Sequence, residues 1–238
     1  MSRVLLALTG GRKGVPCMGK YVNFAGFSAG RLLALMIFVL ASGSFLESAY
    51  DLSYGLHDIA LGFSRITLFY THLITLMTAL VFAAAFANWS RFSKANVVGH
   101  IFVSLAILFA HYWIFAGWEN FVGSPWRSKI VHGFIPVLVL VFWICFADKR
   151  ELTWRSPLAW TAFAITYTIY ALIRGAISGE YAYDVGNVDH LGYLKVFGLI
   201  GLTTLLSVLL GYALLFLSRA TARLYQAVEL SHAEIAQS

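Results

Sequence analysis

The groups in this chain that could do chemistry lie inside stretches that are otherwise apolar. Thr67, Thr71, Thr75 and Thr78 recur at i, i+4, i+8 and i+11, which puts four hydroxyls on one helix face. His72 stands beside them. His100, Ser104 and His111 share a face of a later apolar run, and His132 precedes Pro136 by one turn. Polar side chains in hydrocarbon are costly, so each must be satisfied by packing or kept for a use. For the threonines the simpler reading is packing, each hydroxyl bonded to a carbonyl one turn back. His72 reads as a satisfied buried histidine. His132 differs, because Pro136 lacks the N–H that would bond the His132 carbonyl, so a kink falls at the histidine. Irregular backbone at membrane depth is tolerated where it faces protein or a cavity. Function and structure are equally good explanations of His132.

Further along, Tyr167, Tyr170 and Arg174 stand at i, i+3 and i+7, followed by Gly175, Gly179, Tyr181 and Tyr183. Tyrosines at such a position usually anchor a helix at the membrane interface, and Arg174 could snorkel there. Four histidines in apolar runs raise the question of haem, which when stacked requires paired histidines at two depths. Only His100 lies near the inner end, so no cofactor is expected, and no metal site is assigned. Cys17 and Cys145 both fall toward the cytoplasmic side, where no structural disulfide is expected.

The elements that must position these groups follow from composition. Of 238 residues, 60% are hydrophobic and 12% charged, against about 45–50% and 25% in an ordinary soluble domain. Too little polar surface is available for a soluble fold of this size. The fold class is therefore an all-α integral membrane protein forming a single membrane domain over residues 1–238. Each crossing takes about 20 helical residues. The uncharged runs give six transmembrane helices over approximately 26–47, 66–88, 96–118, 129–147, 157–175 and 195–218. Residues 224–238 could continue the last of them.

Charge sets the expected orientation. Twelve of the 17 bases fall on the side of the termini: Arg3, Arg12, Lys13, Lys20, Arg31, Arg91, Lys94, Lys149, Arg150, Arg155, Arg219 and Arg223. Seven of the 11 acids fall opposite: Glu47, Asp51, Asp58, Glu119, Glu180, Asp184 and Asp189. The positive-inside rule then predicts both termini in the cytoplasm. The expected location is the plasma membrane, or the inner membrane if the source is bacterial. Alternating span direction brings Thr67, His111, His132 and Arg174 to one outer level, where a polar pocket opening to the outer leaflet is expected.

The residues that carry this pattern also resemble a known family. His132-Gly-Phe-Ile-Pro136 with Trp143 and Trp154, then Tyr167-x-x-Tyr170-x-x-x-Arg174-Gly175 and Gly179-x-Tyr181-x-Tyr183, are similar to the androgen-induced membrane protein family and its bacterial relatives. Ile66-Thr67-Leu68 sits where that family has an aromatic-Thr-apolar triplet. The likeness covers roughly residues 30–218. It implies an intramembrane hydrolase of fatty acid esters of hydroxy fatty acids, or similar lipid esters, with Thr67 as nucleophile and His132 as its partner. A threonine hydroxyl is a weak nucleophile that needs an adjacent base, which imidazole can supply. Thr71, His111, Tyr167, Tyr170, Arg174, Tyr181 and Tyr183 are candidates for substrate binding or support. A membrane lipid or acyl ester is the expected partner, and no nucleic acid is, because the bases are scattered between apolar runs. A homo-oligomer is compatible with the spans. The alternative reading is a non-enzymatic lipid-binding or regulatory membrane protein using the same pocket.

Overall fold

The computed structural model describes residues 23–24, 27–115 and 117–235. Among them, paired strand is confined to the two-residue antiparallel contact of Asn23–Phe24 with Phe27–Ser28, and the rest of the regular structure is helical. Helix α1 (Ala29–Leu56) opens where Ser28 Oγ accepts from the Arg31 N–H at 3.4 Å. It closes at His57, whose φ of 51° turns the chain. Asp58 then starts α2 (Ile59–Ile66) by accepting from the N–H groups of Ala60 and Leu61 at 2.8 and 3.1 Å. After a break come α3 (Tyr70–Phe86) and α4 (Ala95–Phe115). Two short helices, α5 (Gly117–Gly123) and α6 (Trp126–Lys129), lead into a π turn at Ile130–Phe134 and then α7 (Ile135–Cys145). The remainder is α8 (Ser156–Trp160), α9 (Ala162–Ser178), α10 (Val188–Leu191) and α11 (Tyr193–Ile235).

Five helical stretches are long and apolar enough to cross a membrane: Ala29–Gly55, Ala95–Ile114, Trp126–Cys145, Ser156–Ser178 and Tyr193–Thr221. The α2–α3 pair makes six if its two parts count as one span. Large apolar side chains such as Leu80, Val137, Ile173, Leu205 and Leu209 point outward. A soluble protein avoids such an exterior, and hydrocarbon covers it without cost. The chain is an all-α integral membrane protein. With six passes, α1 starts and the α11 span ends on one side, called here the terminal face. The opposite end is the distal face.

The expected span 66–88 differs from the structure in one respect that matters. Ala60–Ile66 and Tyr70–Phe86 are bent by 89° at residues 67–69. Thr67 therefore lies in the break, off the helix face that carries Thr71, Thr75 and Thr78. Thr75 and Thr78 are buried and donate to the carbonyls of Thr71 and Ile74, both at 2.7 Å. These two are packing threonines.

Packing around α4 holds the bundle. A Cβ on Gly99 would meet the Trp160 ring at 2.7 Å and Trp143 Nε1 at 3.2 Å, so the glycine lets both indoles reach the α4 backbone. Trp143 Nε1 donates to the Ala95 carbonyl at 3.0 Å. Lys149 crosses the end of α7 and donates to the carbonyls of Trp143 and Ile144 at 2.7 and 2.9 Å, where the helix dipole favours a cation. On the terminal face Lys94 pairs with Glu151, and the Arg219 guanidinium lies 3.8 Å from the centroid of the Trp154 ring. On the distal face Arg127 pairs with Asp51 and, at 3.7 Å, with Glu47, while Arg65 reaches Glu180 at 3.6 Å.

Candidate functional site

The π turn is where missing backbone chemistry becomes local shape. The Pro136 ring supplies no N–H, and the Ile135 N–H bonds back five residues to the Ile130 carbonyl. Such a bulge re-aims the side chains it carries, and single π turns recur at functional sites. His132 sits at its centre. Its ring stacks on Tyr112 with centroids 4.2 Å apart and planes 21° from parallel. Tyr112 is fixed in turn through its hydroxyl, 2.6 Å from Ser124 Oγ. The His132 Nδ1 atom is shielded from solvent and makes no hydrogen bond.

His132 lines a cavity of about 600 Å³ bounded by α4, α9, α11, the start of α3 and the loop around Tyr183. Its wall is mainly apolar, with residues such as Ile107, Leu108, Ile165, Leu199 and Ile200. The polar groups on it are few: Thr71, His111, Thr161, Thr168, Asp184, Thr203, Thr204 and Ser207 beside His132 and the tyrosines. Thr71 Oγ1 lies 3.2 Å from the Tyr183 hydroxyl, which also accepts from the Thr71 N–H at 3.4 Å. Burial pushes the Tyr183 phenol above its ordinary range, so at neutral pH it keeps its proton and can donate as well as accept. Volume and lining match those of small-molecule sites, which are concave, mostly apolar and carry a few placed polar groups.

The candidate residues divide into two sets. Thr71, His111, His132, Tyr167, Tyr181 and Tyr183 line the cavity. Thr67, Tyr170 and Arg174 form a second cluster with Ser64. Arg174 Nη1 donates to the Tyr170 hydroxyl at 2.8 Å, the Ser64 carbonyl at 3.2 Å and Thr67 Oγ1 at 3.4 Å. Thr67 Oγ1 itself donates to the Ser64 carbonyl at 2.8 Å. No hydrogen bond joins Thr67 to His132, the pair implied by the family resemblance, among the described residues.

Several of these side chains also serve the break between α2 and α3, where carbonyls lose their helical partners. Tyr167 donates to the Leu68 carbonyl at 2.6 Å, and Arg174 to that of Ser64. Tyr183 holds Thr71 at the other end. Tyr181 packs flat against α9, where a Cβ on Gly175 would meet its ring at 2.3 Å.

The remaining histidines have separate settings. The His100 ring lies 3.3 Å through Nδ1 from the Ala159 carbonyl, and His111 Nδ1 lies 2.9 Å from the Ile107 carbonyl. His72 meets Phe69 edge-on and lines a smaller cleft of about 270 Å³ with Ser48, Asp51 and Arg127. Cys145 is free and exposed, and Cys17 lies outside the described residues. Reading the sequence missed Tyr112, Ser64 and the Thr203–Thr204 pair. The pair was visible as hydroxyls within the last span. Tyr112 and Ser64 gain their roles only through contacts between elements.

Family models, curated proteins and solved structures were compared with the chain, and none matches. The resemblance to the androgen-induced membrane protein family is therefore an expectation from motifs alone, those of the second, fourth and fifth spans.

Proposed function

We propose that this protein holds an amphiphile with a fatty acyl tail in the cavity beneath Tyr183, with a hydrogen-bonding group of that molecule placed against His132. The observation that carries the reading is the apolar cavity lined by His132, a residue whose buried Nδ1 atom has no hydrogen bond. A buried polar atom left unpaired costs about 1–3 kcal/mol, and a bound hydroxyl, carbonyl or carboxyl group would recover much of that. The tail would replace cavity surface with apolar contact. The protein acts on or carries lipid in the plasma membrane, or the inner membrane of a bacterium, with both termini cytoplasmic.

Hydrolysis of a lipid ester is the second reading, and one observation favours it: Thr71 and His132 share the cavity wall. With Thr67 held in the Arg174 cluster, Thr71 is the hydroxyl better placed to attack an ester carbonyl bound beside His132. Its proton would pass to the imidazole and then to the leaving alcohol, and water would release the acid.

One experiment separates the readings. Purified protein in amphipol is incubated with methyl laurate, and the bound material is extracted. A binding protein returns the ester intact, whereas a hydrolase returns laurate and methanol at a rate that Thr71→Ala and His132→Ala abolish. Ala164→Trp, which projects an indole into the cavity, obstructs binding in either case. Retention of ester by Ala164→Trp at the wild-type level would refute both.

A further inference from the structure

Arg174 is a guanidinium with no carboxylate partner among the described residues. Of the distal-face acids, Glu180 pairs with Arg65, and Glu47 and Asp51 with Arg127, while no carboxylate of the remaining four, Asp58, Glu119, Asp184 and Asp189, pairs with Arg174 among the described residues. The hydrogen-bond partners of its guanidinium among the described residues are neutral oxygens, those of Ser64, Thr67 and Tyr170. Its Nε–H donates to none of them. A cation at the end of a membrane span, ringed by hydroxyls that can turn to donate, is short of an anion.

The position of this cluster gives it a relation to the cavity. Ala171 and Leu172 line the cavity near the distal end of α9. Arg174 follows within one turn, roughly 3–5 Å further along the helix axis. Thr67 precedes the lining residue Thr71 by four positions across the break. A chain lying in the cavity with its head toward the distal end of α9 would bring that head near the hydroxyl cluster.

We infer that Arg174, with Ser64, Thr67 and Tyr170, binds the anionic head, carboxylate or phosphate, of the amphiphile whose tail occupies the cavity. This rests on the acyl-binding reading above. Planar guanidinium suits either oxyanion, because both offer paired acceptors to its fork of donors. The hydroxyls complete the site by donating to the remaining acceptors. His132 then meets a group part-way along the chain, such as the hydroxyl or ester of a substituted fatty acid.

The test uses three probes with one tail: lauryl alcohol, laurate and lauryl phosphate. Radiolabelled lauryl alcohol is bound to the full-length protein in amphipol and displaced by each in a scintillation proximity assay. A charge-assisted contact should let laurate or lauryl phosphate displace at concentrations at least about tenfold below the alcohol. Arg174→Gln should bring that ratio to about one, while Arg174→Lys keeps part of it. Whichever anion shows the larger ratio identifies the head group, carboxylate or phosphate. An alcohol-like affinity of both anions for the wild type, or a preference that survives Arg174→Gln, would overturn the assignment while leaving the acyl cavity standing. Displacement by inorganic phosphate as strong as by lauryl phosphate would also overturn it, since the site would then take free anions. If labelled alcohol binds neither the wild type nor Arg174→Gln, or binds Ala164→Trp as well as wild type, the acyl reading itself fails.

Discussion

His132 stacks on Tyr112 and bonds the Leu108 backbone, yet its Nδ1 atom is buried with no hydrogen bond. If that atom is a structural cost kept for a ligand, removing it should relieve the fold. Replacing an unsatisfied polar group by an apolar one of similar shape is close to neutral or stabilising. His132→Phe, which can keep the stack on Tyr112 but gives up the bond to the Leu108 backbone, should leave the thermal midpoint close to unchanged. The same substitution should weaken binding of a hydroxylated fatty acid by about tenfold, the value of one good hydrogen bond. A fall of stability by about 2 kcal/mol or more in a detergent unfolding titration would mark His132 as a structural residue. Thr67 teaches the reverse lesson. Its spacing to Thr71, Thr75 and Thr78 placed it on a helix that ends before reaching it.

At the scale of elements, what was legible depended on whether the signal was local. Apolar runs and charge boundaries marked the helices, because burial in hydrocarbon depends on the composition of each segment. Pro136 announced the irregularity at His132, because a missing N–H is a property of one residue. The break at 67–69 had no such mark. Neither glycine nor proline stands there, and the freed carbonyls are satisfied by Tyr167 and Arg174 from a helix about 100 residues away. Partition of the candidate residues between a cavity and a hydroxyl cluster was hidden for the same reason. Gly99 shows how narrow the packing is at the centre of the bundle. Its missing Cβ is the space that Trp160 fills, 2.7 Å away, and the indole is fully buried. Gly99→Ala gains helix propensity but must displace a buried ring, and the overpacking cost of about 1–3 kcal/mol should win. A lowered thermal midpoint in detergent checks it, and an equal or raised one would contradict the close packing.

For the whole molecule, the arrangement of helices and the arrangement of charge point to one orientation. Six passes, with α2 and α3 counted as one, would put both ends of the helical bundle on the terminal face, where the positive-inside reading of the sequence expects most of the bases. If the positive-inside rule governs, the Tyr183 end of the cavity and the Arg174 cluster face away from the cytoplasm. In a background of Cys17→Ser and Cys145→Ser, a cysteine at Asn187 should react with a membrane-impermeant maleimide in intact cells. One at Arg91 should react only after permeabilisation. The opposite pattern would invert the topology and place the lipid entrance in the inner leaflet.

The central claim, that an acyl chain lies inside the bundle rather than around it, is tested most directly by photolabelling. A lauryl alcohol bearing a diazirine near its terminal methyl is bound to the purified protein, irradiated, and mapped by peptide mass spectrometry. The account predicts adducts on cavity-lining positions such as Ile107, Ile165, Leu199 and Ile200, suppressed by Ala164→Trp and by excess unlabelled alcohol. Adducts confined to outward-facing positions such as Leu205 and Leu209, unchanged by either treatment, would contradict it.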